Sequence, residues 1–179
     1  MHTYFAYGSN ICPDRLKRRC PDIKPLAPAF TTDYQLTFPR TYDDPQYGGV
    51  ASIEPITDKP ISLPNQPLQV HGYLYQLSDN DLHRLDQYEG LAFNAYVRST
   101  ISVHVPPHFS NISSITTAWT YFAIPRPAPA VHHPPSKHYL NTIIRGATTH
   151  NLPENYINWL KSIQTLKIEP PPFHGREII

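Results

Sequence analysis

An aromatic stretch near the start of the chain ends in a turn that is suited to binding an anion. Tyr4-Phe5-Ala6-Tyr7 leads into Gly8-Ser9-Asn10. Backbone N–H groups in such a turn can face an anion, because glycine has no Cβ and allows a ligand to approach closely. Cys12-Pro13-Asp14 follows with proline at a first helical position and an acid in the first turn, which predicts a helix. This stretch predicts either an anion-binding corner or an ordinary strand-to-helix turn.

A second stretch places a carboxylate on the apolar face of a predicted helix. The pattern predicts a helix from Asp79 to Tyr88, with Ser78 as N-cap and Gly90 as C-terminal cap. At about 100° per residue, Glu89 lies at about −20° from Leu82 and Leu85 lies at about −60°. Glu89 therefore falls in the middle of the apolar face.

A carboxylate that points toward the core is costly unless it is paired or hydrogen-bonded. One interpretation is structural, in which Glu89 bends out to solvent or pairs with Arg98 or Arg84. The other is a desolvated acid suited to general acid–base catalysis. Asp86, at about +40° from Leu82, is the second carboxylate near this face. A glycosidase-type pair of carboxylates is possible but not favoured.

The composition limits the classes of partner. The chain has 179 residues, 16% of them charged, and a formal net charge of +1. This size favours one domain with a real core. The charge does not indicate binding to nucleic acid or anionic lipid, and no apolar run is long enough to span a membrane. The first residues lack the pattern of a signal peptide, so we expect a cytoplasmic protein with neither a nucleic-acid nor a membrane partner.

The thiol and imidazole groups do not predict a metal site. Cys12 and Cys20 lie eight residues apart without a CxxC motif, so they indicate neither a zinc nor a redox pair. His132, His133 and His138 lie in a proline-rich stretch, where histidines are more often exposed than bound to metal.

The elements that must position these residues are mostly strands. The 21 prolines cluster between predicted elements and indicate stiff connections, one of them from Pro21 to Pro28. Turn-bounded β-branched and aromatic runs predict six strands: Tyr4–Tyr7, Tyr34–Phe38, Gly49–Glu54, Val70–Leu77, Tyr96–Val105 and Ile115–Ile124. Four helices are predicted, one after Pro13 and the others at Asp79–Tyr88, Lys137–Thr148 and Pro153–Thr165. Two helices between strands favour an α+β fold, a small, mostly antiparallel β-barrel with flanking helices.

The order of several short motifs resembles the γ-glutamylcyclotransferase family. The motifs are Tyr4-Phe5-Ala6-Tyr7-Gly8-Ser9-Asn10, Gly48-Gly49-Val50-Ala51-Ser52-Ile53, Gly72-Tyr73-Leu74-Tyr75-Gln76-Leu77, Leu85-Asp86-Gln87-Tyr88-Glu89-Gly90 and Tyr96-Val97-Arg98. The stretch from Pro135 to Tyr156 is also similar to the family's C-terminal helices. The similarity covers most of residues 3–165.

The resemblance implies a small β-barrel enzyme that uses no metal and no organic cofactor. It implies that a small γ-glutamyl substrate is converted to 5-oxoproline and a free amine or amino acid, by attack of its own α-amino group. The family's catalytic glutamate corresponds to Glu89. Its substrate-binding residues correspond to Tyr4, Tyr7, Gly8, Ser9 and Asn10, and to Tyr121 on a later strand.

Finer expectations follow from details of this sequence. The turn reads YGSN rather than the YGSL of the glutathione-specific branch, which argues mildly against free glutathione as the preferred substrate. The alternative to an enzyme is a non-catalytic binding module for a γ-glutamyl or amino-acid ligand. We expect one domain over residues 1–166, an extended proline-rich tail over 167–179, and a monomer or homodimer.

Overall fold

The computed structural model describes residues 1–56, 63–109, 112–125, 131–168 and 170–171. Its strands are β1 His2–Ala6, β2 Lys24–Thr31, β3 Tyr34–Thr41, β4 Gly49–Pro55, β5 Val70–Leu77, β6 Tyr96–His104 and β7 Ile115–Ala123. Its α-helices are α1 Pro13–Arg19, α2 Asp79–Tyr88, α3 Lys137–Thr149 and α4 Glu154–Ser162. Most of the predicted tail, residues 169 and 172–179, lies outside the described residues, and the domain boundary at 166 stays a prediction.

Five strands close into a barrel in the order β1-β5-β2-β6-β7, and β3 and β4 form a separate two-stranded sheet. The barrel closes where β1 and β7 run parallel, with Tyr4 opposite Trp119. The other neighbouring strands of the barrel are antiparallel. The predicted α+β fold, a mostly antiparallel barrel with flanking helices, is therefore confirmed.

Strand β2 corrects the prediction that Pro21 to Pro28 is a connection. Proline donates no ladder hydrogen bond, so a segment with several prolines looks like a break between elements. Here the register against β5 shifts between Pro25 and Ala27, and such an irregularity accommodates a proline. Ala27 and Ala29 alternate inward and are buried, while Pro28 stays half-buried on the other face.

The helices agree closely with the sequence. Helix α2 has the predicted bounds, and α3 ends at Thr149 rather than Thr148. Helix α4 is shorter than predicted, because Pro153 serves as its N-cap and the helix ends at Ser162. Tyr156, Leu160 and Ile163 lie at helical spacing along one face and are buried, as are both cysteines, which are free. Within the described ranges, no helix combines the length and the apolar character that crossing a membrane requires.

Gly72, within β5, marks a close approach of two backbone segments. A Cβ added at Gly72 would lie 2.5 Å from the carbonyl oxygen of Ala6 and 2.7 Å from the ring of Phe5. Strand β1 can therefore pair with β5 only because this position has no side chain. The close approach of Gly72 to Phe5 and Ala6 holds β1, the strand that leads into the Gly-Ser-Asn turn, in place.

His71, beside Gly72, is expected to make the protein less stable in acid. Its ring lies 4.9 Å from that of Tyr156 and 5.6 Å from that of Phe30, and burial lowers its pKa to about 4. As the pH falls through about 6.5, His71 takes up a proton in the unfolded chain, whereas in the folded protein it stays neutral down to about pH 4. Stability is therefore lost over this window.

The measurement is urea unfolding at pH 7.5 and pH 5. His71→Phe should lose less stability between the two pH values than the parent, while the exposed control His83→Gln should behave like the parent. The remaining loss has other sources, since burial also lowers the pKa of His132 and of His150. An equal loss in His71→Phe and the parent would contradict the prediction.

Candidate active site

The Gly-Ser-Asn turn folds as a short 3₁₀ helix, Ser9–Ile11, between β1 and α1. The Ile11 N–H donates to the Gly8 carbonyl at 2.9 Å, and the Cys12 N–H donates to the Ser9 carbonyl at 3.2 Å. The first amides of a helical turn have no acceptor within it, so those of Ser9 and Asn10 are the ones left for other partners. A Cβ on Gly8 would lie 3.3 Å from the Cβ of Ala51, so the turn packs closely on β4.

Glu89 points inward from the end of α2, as predicted. Its N–H donates to the Leu85 carbonyl at 2.9 Å, and Gly90 ends the helix in the left-handed conformation, at φ 63°. Only 4% of Glu89 is exposed. The sequence therefore places this carboxylate correctly, because the helical periodicity and the glycine cap together set its direction.

Arg19 pairs with Glu89, so the predicted partners were wrong. The Arg19 Nη1 lies 3.2 Å from the Glu89 Oε1, and both side chains are almost fully buried. Arg84 instead donates to the Arg19 carbonyl at 2.9 Å, and Arg98 pairs with Asp86 at 2.6 Å. Burying a carboxylate beside a guanidinium compensates its charge, which makes the inward position of Glu89 tolerable.

Asn10 links the turn to this ion pair. Arg19 donates to the Asn10 Oδ1 at 3.0 Å, and because arginine has no acceptor, this contact fixes which way the amide faces. The Asn10 Nδ2 then donates to the Glu89 Oε1 at 2.7 Å and to the Tyr4 hydroxyl at 3.1 Å. Two stretches that lie 79 residues apart in sequence therefore meet in one hydrogen-bond network.

A small pocket opens at this network. Every residue that the sequence predicted for the site lines it, namely Tyr4, Tyr7, Gly8, Ser9, Asn10, Glu89 and Tyr121. Their roles in binding and catalysis stay predictions. Three further residues line it that the sequence analysis did not assign to the site: Ala51, Tyr96 and Tyr139. Ala51 and Tyr96 belong to motifs that carry the family resemblance, and Tyr139 lies on α3, within the stretch from Pro135 to Tyr156 that is similar to the family's C-terminal helices.

Five of the ten residues that line the pocket are tyrosines, and the hydroxyl groups of three of them form hydrogen bonds with the backbone around it. The Tyr96 hydroxyl donates to the Ala51 carbonyl at 3.0 Å, and the Ala51 N–H donates to the Tyr139 hydroxyl at 3.1 Å. The Tyr7 hydroxyl donates to the Tyr121 carbonyl. Burial raises the pKa of all the pocket tyrosines, so they face a ligand as neutral hydroxyl groups.

Asp86 lies behind the pocket and does not line it. The Tyr121 hydroxyl donates to the Asp86 Oδ1 at 2.8 Å, and Arg98 donates to the Oδ2 at 2.6 Å. Glu89 is thus the carboxylate that the pocket presents, and the arrangement is not a facing pair of acids. The part of the chain that the structure describes contains no group of three or more histidine, cysteine or acidic side chains that could hold a metal ion.

Comparison with known proteins places the chain in a family. A sequence model of the AIG2-like family matches residues 69–160, and the chain belongs to that family. Curated γ-glutamylcyclotransferases of Mus musculus and Homo sapiens are each 27% identical to it over 176 residues, which cover 97% of this chain and 81% of theirs. The resemblance to the γ-glutamylcyclotransferase family is therefore confirmed.

The solved structures agree on the fold. A structure of a γ-glutamyl cyclotransferase superposes with a TM-score of 0.80 at 24% identity and covers 97% of this chain and 94% of its own. YkqA from Bacillus subtilis superposes with a TM-score of 0.67 at 22% identity, and the match covers 92% of this chain and 55% of that one. The barrel with its flanking helices is the architecture that these proteins share.

Proposed function

We propose that this protein is a γ-glutamylcyclotransferase, which converts a γ-glutamyl amino acid or γ-glutamyl amine to 5-oxoproline and a free amine. The observation that carries the proposal is the hydrogen bond between the buried Glu89 carboxylate and Asn10 of the Gly-Ser-Asn turn, at the wall of one pocket. This joins a group that can move a proton to a turn that can bind an anion. Membership of the AIG2-like family and the curated relatives support the same activity.

In the proposed reaction the substrate's α-amino nitrogen attacks its own γ-carbonyl carbon. The α-ammonium group first gives a proton to Glu89, then the new C–N bond forms and the ring closes. Glu89 returns the proton to the departing nitrogen as the old C–N bond breaks, and the extra proton of the new ring nitrogen passes through Glu89 to the released amine, which leaves as an ammonium ion. The Glu89 Oε1 accepts from Asn10 and Arg19, and these two contacts hold the carboxylate at the pocket wall. A general acid–base group of this kind contributes about 10²–10⁴-fold.

The turn and the tyrosine wall supply binding and positioning. The Ser9 and Asn10 amides suit the α-carboxylate, which is the full negative charge of the glutamyl part of the substrate. Holding the glutamyl arm in a folded pose brings the nitrogen and the carbonyl carbon into reach of one another. Glu89 is almost fully buried, so the pocket leaves little room for a competing water and favours ring closure over hydrolysis.

The test of this proposal is direct. Purified protein is incubated with a panel of γ-glutamyl dipeptides and γ-glutamyl amines, and 5-oxoproline and the released amine are quantified together. Equimolar release of both products supports the cyclotransferase. Binding of γ-glutamyl compounds without any 5-oxoproline would instead favour the non-catalytic binding module. Products from γ-glutamyl amines but not from dipeptides would identify the class of leaving group.

Ser9→Ala is expected to weaken substrate binding more than it slows the reaction. The substitution keeps the backbone amide that faces the substrate and removes only the hydroxyl, whose contact with Tyr139 helps to hold the turn. A lost neutral hydrogen bond corresponds to about a fivefold effect, so KM should rise by about that factor at nearly constant kcat. Steady-state kinetics measures both, with the exposed Ser102→Ala as control. A tenfold fall in kcat at constant KM would contradict the prediction.

A further inference from the structure

The proton of the Tyr121 hydroxyl group points away from the pocket. It donates to the Asp86 Oδ1 at 2.8 Å. The other oxygen of Asp86 accepts from Arg98, whose guanidinium lies 4.9 Å from the centre of the Trp119 ring. Asp86 is held from both sides by donors and therefore acts as an acceptor only. Because a hydroxyl has one proton, Tyr121 can offer the pocket its lone pairs but no hydrogen.

The Tyr4 hydroxyl group has the opposite polarity. It accepts from the Asn10 Nδ2 at 3.1 Å, and the contact of Arg19 with the Asn10 Oδ1 fixes that direction. Tyr4 therefore keeps its own proton to donate to a ligand. The rings of Tyr4 and Tyr121 lie 5.8 Å apart edge to face, so one pocket wall presents a donor and an acceptor side by side.

We propose that Asp86 is a positioning residue that makes Tyr121 accept a hydrogen bond from the substrate's α-ammonium group. This inference rests on the proposed function, since it assigns the substrate's orientation within that same pocket. Tyr4 donates to a substrate oxygen, and Glu89 and Tyr121 share the ammonium hydrogens. When Glu89 removes one proton, Tyr121 still holds a remaining N–H and directs the nitrogen lone pair toward the γ-carbonyl carbon.

The variant Asp86→Asn would reverse the direction of the hydrogen bond between the Tyr121 hydroxyl and residue 86. Arg98 can only donate, so it would take the oxygen of the introduced amide, and the amide nitrogen would then face Tyr121. The Tyr121 hydroxyl would accept from that nitrogen and turn its proton into the pocket, toward the ammonium group. The substitution changes almost no volume, so it tests the direction of one hydrogen bond rather than the packing.

Two probes separate recognition of the ammonium group from the rest of binding. γ-Glutamyl-butylamine is a substrate under the proposed function. N-Butylglutaramate is the same molecule without the α-amino group and cannot cyclise, so it acts as a competitive inhibitor. KM for the first and the inhibition constant of the second are measured in the parent protein and in each variant.

Asp86→Asn and Tyr121→Phe should each raise KM for γ-glutamyl-butylamine by about 10- to 100-fold, the effect of losing a hydrogen bond to a charged group. Both should leave the inhibition constant of N-butylglutaramate within about threefold of the parent value. Tyr4→Phe, which removes a donor to an oxygen that both probes have, should weaken both alike. Asp79→Asn, an exposed acid on the same helix, should change neither.

The outcomes distinguish this inference from the proposed function. Equal weakening of both probes by Asp86→Asn would show that Asp86 serves the structure alone and would overturn the inference. Unchanged KM in Asp86→Asn and Tyr121→Phe would overturn it as well. If the parent protein turns over neither the first probe nor any other γ-glutamyl amine or dipeptide, the proposed function fails, and the inference fails with it.

Discussion

Glu89→Gln is expected to lower kcat by about 10²–10⁴-fold, the range for losing a general acid–base group. Glutamine keeps the shape of the side chain and an oxygen that can accept from both Asn10 and Arg19. It has no site that can take a proton from an ammonium group near neutral pH. The fold of the pocket should therefore persist while the chemistry is lost, as measured by 5-oxoproline release under saturating substrate.

The control for this experiment is Glu154→Gln, the same substitution at an exposed position on α4. It should keep the parent kcat. Thermal unfolding of both variants verifies that they fold, and KM for Glu89→Gln should change far less than kcat if Glu89 acts on the reacting atoms. Activity of Glu89→Gln within about tenfold of the parent would show that Glu89 is not the base.

Arg19→Met is expected to lower the free energy of unfolding by about 3–5 kcal/mol, the cost of breaking a buried ion pair by removing one partner. Methionine fills much of the space of the arginine stem but leaves the Glu89 carboxylate buried without its compensating charge. Natural domains are stable by only about 5–15 kcal/mol, so this is a large fraction of the total. Urea unfolding at neutral pH measures the loss.

A double-mutant cycle separates the charge from the packing. In the combined variant Arg19→Met with Glu89→Gln, no charge is left uncompensated, so part of the lost stability should return. Arg18→Met is the matched control, because Arg18 is the neighbouring arginine of α1 and is exposed. It should stay within about 0.5 kcal/mol of the parent. If the double variant loses as much free energy of unfolding as the two single variants together, the two side chains do not act as a pair.

The two predictions concern different properties of the same network. Glu89→Gln should remove activity and also cost some stability, because the buried Arg19 guanidinium keeps a hydrogen-bond acceptor but loses its compensating charge. Arg19→Met should chiefly lower stability. The activity that this variant keeps shows how well Asn10 positions the Glu89 carboxylate without the arginine. Asn10 contacts both partners, so it transmits a change in either one to the Gly-Ser-Asn turn.

Local patterns were sufficient for many parts of this site. The bounds of α2 followed from its caps and its apolar period, and these also placed Glu89 on the inward face. The turn after β1 followed from glycine and proline, whose conformational limits act over a few residues. The family resemblance added Tyr121, which periodicity alone would have assigned to the core.

Other parts depended on contacts that no local pattern contains. Strand β2 was taken for a connection because its prolines suggest a break, yet β5 and β6 pair with it across the barrel. Arg19 had no distinguishing mark among the basic residues of α1, and only the packing of α1 against α2 makes it the partner of Glu89. Tyr139 reaches the pocket because α3 packs over the turn.

The sequence by itself therefore determined the residues to which we assign the chemistry: the Gly-Ser-Asn turn and the inward-facing Glu89. Their local structure depends on neighbouring residues only, through the backbone freedom of glycine, helix capping and the helical period. The tertiary structure alone decided what surrounds them, including the guanidinium that balances the carboxylate and the direction of each tyrosine hydrogen bond. Burial and hydrogen-bond partners depend on segments far apart in the chain, so they exist only once the barrel has closed.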